Sequence, residues 1–143
     1  MKSLISTSLL CLLLANMSYA DEDSQATKTR QQVYTSIEDK SETLEDLVDD
    51  EKWQEAAPLA AELAKTVAQL QHLFPESSKD EGRARDGVWE EWPEFSQRLT
   101  LLEQNFKGVS LAIKEGDHDK AEDHLDDATS ACNSCHMSYR SLW

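Results

Sequence analysis

ACNSCHMSYRSLW, residues 131–143, sets two cysteines three positions apart and a histidine directly after the second. Its surroundings fix how it is read. Ala121, Leu125, Ala128, Cys132, Cys135, Tyr139 and Leu142 follow one another in steps of four and three, which is the spacing of a single face of an α-helix. Both cysteines therefore fall on the core stripe of a helix. Three further stripes lie upstream: Val33, Ile37, Leu44 and Val48; then Ala56, Ala60, Leu63, Val67, Leu70 and Phe74; then Phe95, Leu99, Leu102, Phe106, Val109 and Ile113. No stretch alternates like a strand, and the chain has only 4 glycines and 3 prolines for sheet turns. The pattern predicts an all-α fold, an up-down-up-down four-helix bundle.

The expected boundaries have chemical causes. Gly116 ends the third stripe and Asp117 can cap the fourth, while Asp49 or Asp50 can cap a helix beginning near Trp53. Pro58 falls early in the second stripe, so that helix either begins near it or bends there. The long connection PESSKDEGRARDGVWEEWP, 75–93, carries two tryptophans and is expected to pack over the bundle.

At the N-terminus, Lys2, the apolar run Leu4–Ala15 and Ser18-Tyr19-Ala20 read as a secretory leader, 1–20, too short and too weakly flanked to span a membrane. Cys11 goes with it. The mature segment, 21–143, then keeps Cys132 and Cys135 as its only cysteines and Met137 as its only methionine. Loss of Lys2 moves the formal charge from −14 to −15, which argues against nucleic acid as a partner. The acids of ETLEDLVDDE (42–51) and DHDKAEDHLDD (117–127) read as solvated helix faces.

Cys132-Asn133-Ser134-Cys135-His136 is the pattern of covalent haem attachment, in which each thiol adds to a vinyl group and the imidazole ligates iron. Residues three and four apart share a helix face, so both thioethers and the ring reach one porphyrin. Two other chemistries use such residues. A structural zinc site needs a fourth ligand, which His72, His118 or His124 would have to supply. A redox disulfide of the Cys-x-x-Cys kind normally sits at a helix N-terminus, where the dipole lowers a thiol pKa, whereas this pair lies late in its helix.

CNSCHMSYR resembles the C-terminal signature of the cytochrome c′ family, the class II c-type cytochromes, and EGDHDKA, GVWEEWPEF and LFPESS resemble family segments upstream. The resemblance is good over 70–143 and weak in the first helix. It implies one covalently bound haem c, with thioethers at Cys132 and Cys135 and His136 as axial ligand, carried by a periplasmic protein. It also implies haem-pocket roles for Arg30, near a propionate, and for Phe74, Arg85, Tyr139 and Arg140. Trp89 and Trp92 are candidates to cover the haem edge, and His118 and His124 read as surface residues.

Family members are either high-spin, with an open sixth iron position, or low-spin, with a first-helix methionine filling it. Four residues after Arg30 stands Tyr34, so methionine ligation fails. A neutral phenol is a poor ligand, and Tyr34 reads as lining a distal pocket with Val33, Ile37 and Phe74, phenolate ligation being the alternative. His72 reads as a solvated helix-end histidine, a sixth iron ligand or a distal donor. The expectation is five-coordinate iron that binds NO and CO, with no substrate pocket of paired acid and base, and hence no enzyme. The alternative is a low-spin electron-transfer cytochrome exchanging electrons with periplasmic redox proteins. The resemblance allows a homodimer through the first two helices.

Overall fold

A computed structural model describes the backbone of residues 8–141 and side chains from Gln25 onward. The leader expected over 1–20 and the seam position Leu142 lie outside the described side chains. The chain forms α1 (Ser8–Asp49), α2 (Trp53–Gln69), a short α3 (Gly87–Glu90), α4 (Trp92–Glu115) and α5 (His118–Tyr139), with 3-10 turns at Leu70–His72 and Glu76–Ser78. Among the described residues the one extended pairing is an isolated antiparallel bridge, Ala84 with Arg140. No described helix is long and apolar enough to cross a membrane.

The four stripes become four buried faces. Val33, Ile37, Leu44 and Val48 of α1 are buried, as are the second-stripe residues Ala56, Ala60, Leu63, Val67, Leu70 and Phe74 and the third-stripe residues except Leu102, which is half-buried. The small residues Ala56, Ala60, Ala112, Ala121 and Ala128 are all at most 1 % exposed, which lets neighbouring backbones approach closely.

Helix ends follow local chemistry. Gly116 takes the left-handed conformation (φ 77°) that closes α4, and Asp117 Oδ1 accepts from the Lys120 N–H at 3.2 Å to open α5. The link between α1 and α2 differs from expectation. Neither Asp49 nor Asp50 caps α2; Lys52 stands at its N-cap and its side chain, which reaches Asp50 at 2.7 Å, makes no capping bond. Glu51 adopts φ 56°, and Lys52 N–H bonds to Leu47 O while Glu51 N–H bonds to Val48 O. That is a Schellman turn with glutamate at the position glycine usually fills. Pro58 lies inside α2. It is exposed, so the carbonyl it leaves unbonded can face water and the helix continues.

The 75–93 connection does pack on the bundle: Ser78 and Val88 are fully buried within it. Around the ring of helices, α1 packs on α2, α2 on α4 and α4 on α5. The ring hardly closes, because α5 and α1 make few contacts. One cross-link on that seam is the Thr129 hydroxyl donating to Glu45 Oε1 at 2.9 Å.

Candidate functional site

The α1–α5 seam holds a cavity of about 550 Å³. From α5 it is walled by Cys132, Cys135, His136, Tyr139 and Arg140; from α1 by Arg30, Tyr34 and Ile37; and from the rest of the core by Phe74, Phe95, Leu99 and Phe106. The two cysteines are half-buried rather than buried because they face this space, and both are free thiols. Burial pushes both thiols above the ordinary cysteine range, so they stay protonated at neutral pH. His136 is held below its usual pKa, first by burial and then by the charges of Arg140 and Arg83, with Glu38 opposing. A neutral imidazole is the form that offers a lone pair to a metal.

Tyr34 is half-buried against the cavity. Its phenol is pushed well above 10, chiefly by burial, which disfavours the phenolate that iron ligation would require. Phe74 is locked in an aromatic cluster, edge-on to Phe95 at 4.9 Å and to Trp89 at 6.1 Å. Trp89 and Trp92 stand behind Phe74 and are not among the cavity walls. Trp89 Nε1 instead donates to the Phe74 and Pro75 carbonyls, at 3.2 Å each. Tyr139 packs edge-on to Phe95 at 5.1 Å and its hydroxyl donates to Glu91 at 3.2 Å.

The structure treats the expected cations differently. Arg30 lines the cavity, yet it is only 4 % exposed and four neighbours hold its guanidinium. Nη1 donates to Leu73 O (3.1 Å) and Ser78 Oγ (3.3 Å), and Nη2 to Glu81 O (3.1 Å) and Thr27 Oγ1 (3.3 Å). The group also stacks over Phe74, 4.6 Å from the ring centre. Arg30 thus ties α1 to the 73–81 segment, and little of its hydrogen-bonding capacity remains for a propionate. Arg85 does not line the cavity; its Nη1 donates to Met137 O at 3.1 Å. Arg140 does line it.

His72 is exposed and is not one of the cavity walls. It ends the 3-10 turn Leu70–His72, two residues from both Leu70 and Phe74 and therefore off the face those two share. His118 stacks on Trp53 at 4.1 Å, and the His124 ring lies flat against Gly108. Neither meets the cysteines, and among the described residues no group of three or more His, Cys, Asp or Glu is placed to hold a metal ion. That removes the geometry a zinc site would need.

Sequence reasoning missed Arg83 and the carboxylates Glu38, Glu42 and Glu45, all on the cavity wall. Arg83 is brought there by the bridge at Ala84, in which Arg85 N–H bonds to Tyr139 O (2.9 Å) and Ser141 N–H to Arg83 O (2.8 Å). Helical periodicity carries no signal for that pairing. Glu42 and Glu45, within the acidic run 42–51, are legible as helix-face positions but not as a cavity rim.

The donor set suits a haem. Two thiols and an imidazole share one wall of a mainly apolar cavity of the size that small cofactors occupy. Among solved structures, the chain is similar to a ferrous, NO-bound arginine-to-lysine variant of cytochrome c′ from Alcaligenes xylosoxidans, at 22 % identity and TM-score 0.76, covering 85 % of this chain and 97 % of that one. It is also similar to a further cytochrome c′ (24 %, TM-score 0.75, covering 83 % and 97 %) and to a carbon-monoxide-bound variant from A. xylosoxidans (23 %, TM-score 0.75, covering 83 % and 96 %). At these identities the likeness is one of fold. No curated protein matches the chain. The model of the cytochrome c′ family matches residues 25–140, and on that match, nearly the whole described chain, the protein belongs to the cytochrome c′ family.

Proposed function

We propose that this protein is an exported, periplasmic carrier of one covalently bound haem c whose five-coordinate iron binds NO, and CO when reduced, so as to scavenge or carry NO, and that it acts as a binding protein rather than an enzyme. Family membership implies a c-type haem with iron. Cys132 and Cys135 would hold it as thioethers and His136 would ligate the iron, which supplies a site for a diatomic ligand. The observation that carries the reading is the open α1–α5 seam, with both thiols and His136 on one side and Tyr34 and Ile37 on the other.

The chain's own residues shape that site. Tyr34, Ile37 and Phe74 present a phenol and two apolar groups, which leaves room for a small neutral molecule and disfavours hydrated anions. The phenol of Tyr34 stays protonated, so it restricts access and can donate a hydrogen bond but offers no anionic ligand. His72 is exposed off the cavity wall, and this placement gives no support to the low-spin, His72-ligated alternative. NO and CO are named for relatives of this fold, which supports gas binding here.

Visible spectra of protein matured in a haem-attaching host test the proposal, taken oxidised, dithionite-reduced, and reduced with CO or NO. A high-spin reduced spectrum that shifts on adding gas is expected, with haem staining lost in C132A/C135A. A sharp low-spin spectrum indifferent to CO would overturn the five-coordinate reading and put electron transfer in its place.

A further inference from the structure

Phe74 is fixed at backbone and ring alike. The peptide group before it is held by Arg30, whose Nη1 donates to Leu73 O at 3.1 Å. The peptide group after it is held by Trp89, whose Nε1 donates to Phe74 O at 3.2 Å. Pro75 follows, which disfavours helical backbone at Phe74. Over the ring lies the Arg30 guanidinium, 4.6 Å from the ring centre, while Phe95 meets the ring edge-on at 4.9 Å.

Arg30 is fixed in turn. Besides Leu73 O it bonds to Ser78 Oγ, Thr27 Oγ1 and Glu81 O. Ser78 Oγ itself donates to Pro75 O at 2.9 Å, and Thr27 Oγ1 to Glu81 Oε2 at 2.9 Å. The connection can come this close to α1 because Gly82 takes φ 75° and has no side chain; a Cβ there would lie 3.2 Å from Thr27 Cγ2. A guanidinium only 4 % exposed is costly to leave short of partners, which keeps the set together. Arg30 and Tyr34 stand four apart on one face of α1, and Tyr34 and Phe74 both wall the cavity. One side chain thus links the two aromatic walls.

We propose that Arg30 is a positioning residue for gas entry: by pinning Leu73 O and covering the Phe74 ring, it holds Phe74 at a fixed distance from Tyr34 and narrows the approach to the iron. The idea rests on the haem reading of the cavity. It departs from the propionate role expected for this arginine, because the guanidinium is engaged by carbonyls and hydroxyls and by the ring that faces the guest.

The haem-loaded, reduced protein is mixed with CO in a stopped-flow instrument, and the association rate is compared among wild type, R30M, R30K, W89F and F74A. R30M keeps much of the bulk but removes the donors, and should admit CO about tenfold faster; R30K should do so about twofold. W89F frees the Phe74 and Pro75 carbonyls without altering a cavity wall or a charge, and should speed entry about threefold. Because Arg30 acts through Phe74, R30M should add less than about twofold in an F74A background. The Trp89 indole N–H gives a readout independent of gas. In the loaded protein it should exchange with deuterium at least about tenfold faster in R30M than in wild type, since the carbonyl it bonds to is no longer held in place.

R30K and W89F carry the test should R30M not fold. A CO rate unchanged in every folded variant at Arg30 and Trp89 overturns the proposal. So does a full R30M effect in the F74A background, and so does a shifted midpoint potential at an unchanged CO rate, which would put Arg30 on a propionate. Reduced protein that binds no CO at all would be a failure of the five-coordinate reading, a separate result; the indole exchange rate then decides whether Arg30 holds Phe74.

Discussion

Cys132, Cys135 and His136 meet on one cavity wall because residues three and four apart share a helix face, and that much is legible from spacing alone. Arg30 lines the cavity and ties α1 to the 73–81 segment through two backbone carbonyls and two hydroxyls, three of the four lying 43 to 51 residues away, partners that spacing along one helix does not reveal. Removing a buried donor leaves such acceptors unsatisfied, at a cost of order 1–3 kcal/mol for the group. We expect R30M to lower stability by about 3 kcal/mol in urea denaturation. R30K should recover part of that loss, because an ammonium can still serve some of the acceptors. Tyr34 gives a pH signature. Its folded-state pKa is raised by burial, so the folded chain holds that proton more tightly than the unfolded chain. The associated stability is complete below the unfolded value near 10 and is lost as pH rises above it, at up to ~1.4 kcal/mol per pH unit. Urea midpoints compared between pH 9 and 11 should therefore fall more steeply for the wild-type protein than for Y34F, and equal slopes would show that the phenol is not the group responsible.

The four long helices could be read from their stripes because burial of an apolar face is a periodic property. What periodicity could not show is how helices end and where they touch. Glu51 is an example: an ordinary acid in an acidic run by sequence, it holds the left-handed position of the α1–α2 turn at φ 56°. A side chain there costs roughly 1–2 kcal/mol, partly offset by the entropy that glycine loses on folding. E51G should therefore stabilise the protein by about 1 kcal/mol, read from a shifted urea midpoint at constant slope. The α4–α5 contact makes the converse case. A Cβ built on Gly108 would lie 2.6 Å from the His124 ring. G108A alone should be neutral to destabilising despite alanine's advantage of about 1 kcal/mol inside a helix. In an H124A background the ring is gone, and the same substitution should then stabilise by about that amount; equal effects in both backgrounds would show that the two residues do not touch.

At the scale of the molecule, small seam residues and a long middle connection make a guest-sized gap conceivable but do not give it an address. The address comes from the order of packing. The α1/α2, α2/α4 and α4/α5 contacts are extensive while α5 and α1 scarcely meet, so the space opens where the thiols are. A bundle closed on three sides has a weak fourth. The half-buried Tyr34, Leu102, Cys132 and Cys135 keep apolar surface open at this seam, while Ile37, Phe74, Leu99 and Phe106 behind them are already buried. Covering even about 200 Å² of that apolar wall is worth ~5 kcal/mol, which for a domain of this size corresponds to roughly 15–20 °C in Tm. Haem-free protein, made by expression without the attachment machinery, should therefore melt at least about 15 °C below the haem-loaded form. Its loss should also be uneven. Amide hydrogen exchange should stay slow in α2 and α4, which form the most extensively packed helix pair, and become fast along α5 and the cavity side of α1, which scarcely meet apart from the Thr129–Glu45 bond. Uniform exchange across all four helices, or an unchanged melting temperature, would mean that the seam closes on itself when empty and that the open cavity is not what makes the fold depend on its cofactor.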